Sequence, residues 1–254
     1  MALPTKSQSI PLDLSGLPGE PVTRAIVDLV GAIPDIERVT LVAYRPAPGL
    51  DTRLDRSTDP TSEIRDEAER LREKYGIPFW DAILAISMKR GEIPERYVEL
   101  AILHDKSPDE HPIHLSRLDL THESIEAKSK GLPRGFVLAF SSRVVLKDGT
   151  EAHIPLMDFR CHPSPQNSTI VRKALVAMGE HSGILVNSGR SYHFYGLRLL
   201  SKEAWLRFLA MGMLFSPIVD VRYIAHRLAD GACRLRICAG PDKPSVPHVI
   251  EVFS

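Results

Sequence analysis

The chain is poor in cysteine, with Cys161, Cys233 and Cys238 in 254 residues, and no two of them form a Cys-x-x-Cys pair. That leaves no zinc-ribbon or dithiol motif, and an odd, sparse set suits a reducing compartment where thiols act as small buried apolar groups. A cytoplasmic location is therefore expected. No apolar run approaches the roughly 18–20 residues needed to cross a bilayer, so no membrane partner is expected. The His-Glu-x-x-His of zincins, the phosphate-binding P-loop, the Gly-x-Gly-x-x-Gly turn and the Gly-x-Ser-x-Gly elbow are all missing. Their absence weighs against metalloprotease, Walker-type, dinucleotide-dependent and serine-hydrolase chemistry. Residues 1–20 lack a basic-then-apolar targeting pattern and read as a flexible leader.

Net charge is also missing, since 32 Lys and Arg balance 32 Asp and Glu, but the balance hides an asymmetry. Residues 1–130 hold 17 basic against 23 acidic side chains, whereas residues 158–243 hold 12 basic against 6 acidic. An anionic partner would sit on the second half, unless the two faces simply complement each other within one molecule.

Hydrophobic periodicity divides the chain in the same way. Glu20–Ile33 has helical spacing, Arg38–Tyr44 reads as a strand, and Asp59-Pro60 begins a charged helix that stops at Gly76. Phe79–Lys89, Pro94–Leu103 and Thr121–Lys130 read as further helices, and His114–Leu120 as a strand. The run His104-Asp-Lys-Ser-Pro-Asp-Glu-His-Pro-Ile-His114 reads as a charged surface loop. From Gly135 the pattern changes to a β-hairpin, Phe136–Leu146 and Thr150–Phe159, closed by Asp148-Gly149. Helices over Ser168–Gly179, Lys202–Leu214 and Val219–Leu228 alternate with strands at Gly183–Asn187, Ser191–Leu199, Arg234–Cys238 and Val249–Phe253. This mixture predicts an α+β fold, a mixed or antiparallel sheet packed against helices, with a mostly helical lobe over 21–130 and a core over 131–254.

Three landmarks fall in order in that core. Met157-Asp158-Phe159-Arg160 ends a strand, Ser188-Gly189-Arg190-Ser191-Tyr192-His193 opens another, and Ile218-Val219-Asp220 precedes Arg234-Leu235-Arg236 and Lys243. Ser191 and His193 are two apart, so on a strand both point to one face, as do Arg234 and Arg236. Taken singly, Asp220 also reads as a helix cap, and Ser188-Gly189 as a hairpin turn. Together the landmarks resemble the archaeo-eukaryotic primase superfamily, which carries Asp-x-Asp on one strand, Ser-x-His on another, a third Asp after an apolar residue, and a basic tail.

The resemblance implies a primase-like nucleotidyltransferase of nucleic-acid replication or repair that binds a nucleoside triphosphate and single-stranded or template nucleic acid. Asp158 and Asp220 would hold Mg2+ or Mn2+ and, with His193, form the catalytic set. Arg190, Ser191, His193, Arg234, Arg236 and Lys243 would bind the nucleotide. One departure stands out. Where the family pattern has its second aspartate, this chain has Arg160, which cannot ligate a metal and would neutralise Asp158. That substitution keeps open an alternative, a catalytically degenerate primase fold that binds nucleotide or nucleic acid. If either reading holds, Asp158, His193 and Asp220 should converge on one face of one sheet.

Overall fold

The computed structural model describes residues 14–46, 62–95, 97–99, 109–241 and 243–253. It divides the chain into two compact units, residues 46–108 forming one and residues 1–45 with 109–254 the other. In the smaller unit, helices α1 (Ser62–Tyr75) and α2 (Phe79–Arg90) pack through Ile64, Ala68, Trp80, Ile83 and Ile86. Gly76, at φ +66°, follows the first helix where the sequence predicts a stop. The expected start at Asp59-Pro60 lies outside the described residues, as does half of the helix expected over 94–103.

The larger unit begins with a packed segment. Leu14 and Leu17 are buried and Gly19 N donates to Val249 O, so residues 14–20 of the expected leader are held against the core; the leader's first thirteen residues lie outside the described ones. Helix α3 (Val22–Ala32) follows, burying Val22, Ala25, Ile26, Leu29 and Val30 along one stripe. Strand β1 (Ile36–Tyr44) pairs antiparallel with β2 (Glu110–Ser116) and with β3 (Val137–Leu146). Part of the charged segment expected to be a loop is thus strand. Pro112 is tolerated there because β2 is an edge strand and needs no donor on its open side. The boundary expected at residue 130 falls inside this unit, at the end of the expected helix, α4 (His122–Lys130), whose Thr121 cap accepts from Ser124 N.

The predicted hairpin is only half a hairpin. Strand β4 (Glu151–His153) pairs with β3, but Ile154-Pro155 breaks the run, and β5 (Leu156–Asp158) joins a second sheet. Proline lacks the N–H that a continuing central strand needs. Glu151, at the start of β4, is exposed and pairs with Arg143 at 3.7 Å.

The second sheet has the order β5, β7 (Tyr192–Gly196), β6 (Gly183–Asn187), β9 (His248–Phe253), and every pairing in it is antiparallel. Met157 and Phe194 face helix α6 (Lys202–Met213), where a Cβ on Gly212 would come within 2.7 Å of Met157 Cε. Tyr195, on the opposite face, packs against Phe140 of β3 with ring centroids 6.5 Å apart. The first sheet is completed by β8 (Arg234–Arg236), paired with β3. Helices α5 (Pro165–Ala177) and α7 (Val221–Asp230) finish the unit. The helix expected from Val219 starts two residues later because Asp220 is its N-cap.

Candidate active site

Strand register sets the geometry of the site. Asp158 of β5 lies directly opposite His193 of β7, which lies opposite Val186 of β6. On its other side, the segment through Phe159 forms an antiparallel bridge with Val219. Arg160 N donates to Ile218 O at 2.8 Å and Asp220 N to Asp158 O at 3.2 Å, so Asp158 is also directly across from Asp220. Residues opposite one another in an antiparallel pair share a face. His193, Asp158 and Asp220 therefore stand in one row across three neighbouring chain segments, the convergence that the sequence predicts. The next row follows by two residues. Phe159 N donates to Tyr192 O at 2.9 Å, and continuing that register sets Ser191 across from Arg160.

Each member of the row has its own environment. Asp158 is half-buried, with Ser191 Oγ 3.5 Å and His193 Nε2 3.7 Å from its Oδ1. His193 is buried and its Nδ1 has no partner. Burial, then the nearby Lys243 and Arg236 cations, pulls its pKa well below the ordinary histidine value, so the imidazole is neutral at neutral pH. Asp220 Oδ1 accepts from Arg222 N at 3.0 Å and Tyr223 N at 3.3 Å, capping α7. The cap and the convergent carboxylate are thus the same residue, and the two readings of Asp220 are compatible.

The Ser188–Arg190 turn is tightly built. Ser188 N and Oγ both donate to Ser191 O, at 2.9 and 3.1 Å, and Asn187 Oδ1 accepts from Gly189 N at 2.8 Å. Gly189 adopts φ +101°, a conformation closed to most side chains, and a Cβ there would approach Ser245 Oγ at 3.2 Å. Arg190 is exposed at the tip.

The basic tail separates into distinct roles. Arg234 pairs with Glu110 at 2.5 Å and Asp230 at 3.7 Å and lies over the Tyr44 ring. Arg236, two residues on, is buried; its Nη2 donates to Ser188 O at 2.8 Å, and its Nη1 donates to Ser245 O at 3.0 Å and to Cys238 O. It fastens the loop after β8 to the Ser188 turn. Lys243 sits on that loop, bridged to Gly240, and is half-buried. Burial lowers its pKa, Asp158 and Asp220 oppose the shift, and Arg236 and Arg190 add to it, so all five groups share one electrostatic neighbourhood. Residue spacing alone does not show that Arg236 directs its donors to main-chain carbonyls. Tyr195 was also legible by parity, two residues after His193 on the same face. Its hydroxyl is buried without a partner and held far up its range by burial.

Arg160 does not neutralise Asp158 as expected. It is exposed and has no ion-pair partner among the described residues. Nor do the described residues contain a group of three or more His, Cys, Asp or Glu able to enclose a metal ion. Asp158 and Asp220, set across from each other, are the described residues here that could hold a hard divalent cation.

A family model for archaeo-eukaryotic primase 1D-like proteins matches residues 116–249, more than half of the chain. The chain belongs to this primase family. Comparison with curated proteins and with solved structures gave no match. The matched residues run from the end of β2 to the start of β9, so they take in the whole Asp158 row, the Ser188 turn and the Arg236 loop. Among the described residues of this primase-family chain, no helix is long and apolar enough to cross a membrane.

Proposed function

We propose that this primase-family protein is a nucleotidyltransferase that binds a nucleoside triphosphate and a single-stranded or template nucleic acid at the Asp158 row. The observation that carries the reading is the Phe159–Val219 bridge, which sets Asp158 and Asp220 directly across from each other beside a neutral, partnerless imidazole nitrogen. Facing carboxylates repel each other, and a cation shared between them relieves the cost. Asp158 and Asp220 would hold one Mg2+ or Mn2+ together with the triphosphate; such an ion screens charge that builds on the phosphate oxygens. Ser191 offers a hydroxyl, His193 a ring nitrogen, and Arg190 and Lys243 positive charge to those oxygens. Arg236 serves by holding the turn and the loop together. The nucleic acid would bind mainly through its phosphates.

The test is nucleotide incorporation on primed and unprimed single strands with Mn2+, beside nucleotide binding measured by fluorescence. Incorporation that disappears in Asp158→Ala and Asp220→Asn supports the enzyme. A second reading, favoured by Arg160 and by the lack of a third carboxylate in the row among the described residues, is a catalytically inert primase fold that binds nucleotide or single strands. It predicts binding without incorporation, independent of metal and weakening steeply with salt. Absence of both binding and incorporation would refute both readings.

A further inference from the structure

We propose that Arg160 is itself a phosphate-contacting residue, giving a bound triphosphate the positive charge that the missing second carboxylate would have recruited as a metal ion. The inference rests on the triphosphate reading above and adds to it the residue that decides how much the site depends on metal. Three observations carry it. Arg160 N is fixed to Ile218 O at 2.8 Å, and Phe159 N to Tyr192 O at 2.9 Å, so the extended segment holds Arg160 on the Asp158 face, between the Ser188–His193 strand and the Ile218–Asp220 segment. Its side chain is exposed and has no ion-pair or hydrogen-bond partner among the described residues, although Asp158 is only two residues away. Ser191, directly across from it in register, is the hydroxyl of the same candidate phosphate site.

The chemistry fits that position. A guanidinium presents a planar fork of donors that matches two phosphate oxygens at once, and it stays charged at any physiological pH. A carboxylate two residues after Asp158 would attract a cation from solution; an arginine there brings its own. The consequence is a site in which one divalent ion is useful and a second is unnecessary, with part of the triphosphate affinity surviving chelation. The partner is a polyphosphate, whether free or carried on a nucleoside.

The experiment measures binding of fluorescently labelled dATP, with inorganic tripolyphosphate as competitor, in EDTA and in millimolar Mn2+. Wild type, Arg160→Ala, Arg160→Lys and Arg160→Asp are compared, with thermal melts as a check on folding. We expect wild type to bind in EDTA and Arg160→Ala to weaken that binding about tenfold, the scale of one lost charge-assisted hydrogen-bonding group. Arg160→Lys should recover part of the loss, since it restores a charge without the fork. Arg160→Asp should abolish binding in EDTA while steepening its dependence on Mn2+. Tripolyphosphate should displace the label from wild type. Unchanged affinity in Arg160→Ala, with wild type still binding, would overturn the role of Arg160 and leave the triphosphate reading standing. Failure of wild type to bind under either condition would overturn both.

Discussion

Asp220 does two jobs that a pair of substitutions separates. Its Oδ1 accepts from the N–H groups of Arg222 and Tyr223, and the residue stands directly across from Asp158 at the Phe159–Val219 bridge. Asp220→Ala removes the cap, at a cost of about 1 kcal/mol. It also removes one of two facing like charges, which returns a few tenths of that. Asp220→Asn keeps the cap, because asparagine caps about as well as aspartate. It relieves the same repulsion and gives up roughly 0.3–1 kcal/mol of favourable charge at the helix N-terminus, so the two nearly cancel. At roughly 2–4 °C per kcal/mol for a chain of this size, Asp220→Ala should melt about 2 °C below wild type without metal, and Asp220→Asn should stay within about 1 °C.

Metal and nucleotide together should reverse that similarity between Asp220→Asn and wild type. A ligand present at about a hundredfold excess over its Kd stabilises by about 2.7 kcal/mol, so wild type should gain several degrees with Mn2+ and a nucleoside triphosphate. Both variants should lose the Mn2+-dependent part of that gain, because neither amide nor methyl replaces a carboxylate on a hard cation. Differential scanning fluorimetry with and without Mn2+ reads every arm. An Asp220→Asn protein that melts as low as Asp220→Ala would refute the capping account. One that keeps the full Mn2+-dependent gain would refute Asp220 as a metal ligand.

Other positions make independent claims. Arg236→Ala deprives three main-chain carbonyls of a buried donor and should cost about 2–4 kcal/mol in urea melts, with Arg236→Lys recovering little; unchanged stability would sink the fastening role. His153 is buried, stacked on Trp205 at 4.4 Å, and its Nδ1 lies 3.1 Å from Ser142 Oγ; burial pulls its pKa from 6.5 down to about 4. The unfolded chain then binds more protons between those values, so stability is fully present above pH 6.5 and falls as pH drops toward 4, by up to about 3 kcal/mol. His153→Gln should flatten the melting temperature across that window, and an unchanged slope would refute the assignment. Gly183→Ala would drive a Cβ to 2.1 Å from Phe194 Cε2 and 2.9 Å from Tyr195 O, and should cost about 3 kcal/mol by denaturant titration.

What the sequence disclosed and what it hid have different physical sources. Helices such as α2, α4 and α6 were legible because local end signals mark them: Gly91 closes α2, and Thr121 and Ser201 cap the starts of α4 and α6. The Asp148-Gly149 turn was legible because Gly149 needs its φ of +81°. The split at Pro155 was written in the sequence too, as a proline inside an apparent strand. The switch of β5 into a second sheet was not, because sheet membership is decided by distant partners such as Phe194 and Tyr195. The strand character of residues 110–114 was hidden for the same reason: their charge and proline read as loop, and pairing with β1 overrides both.

The site shows the same division. Ser191, His193 and Asp158 announce themselves by residue type and by twofold spacing, and register then brings them together. Arginine is the residue whose role spacing predicts least, because its reach lets one guanidinium serve a neighbouring turn, a distant carboxylate or a ligand. Arg234, Arg236 and Arg160 stand near one another in the motif pattern and do three different things: one pairs with Glu110 and Asp230, one holds three carbonyls, and one has its fork directed to no described partner. The first two are expenditures of charge that stabilise the scaffold. Only the third keeps its charge available on the face where Asp158 and Asp220 meet. Under the proposed reading, an arginine in place of a carboxylate there changes the sign of the group that would meet a phosphate, and such a site would keep phosphate affinity while shedding part of its need for metal.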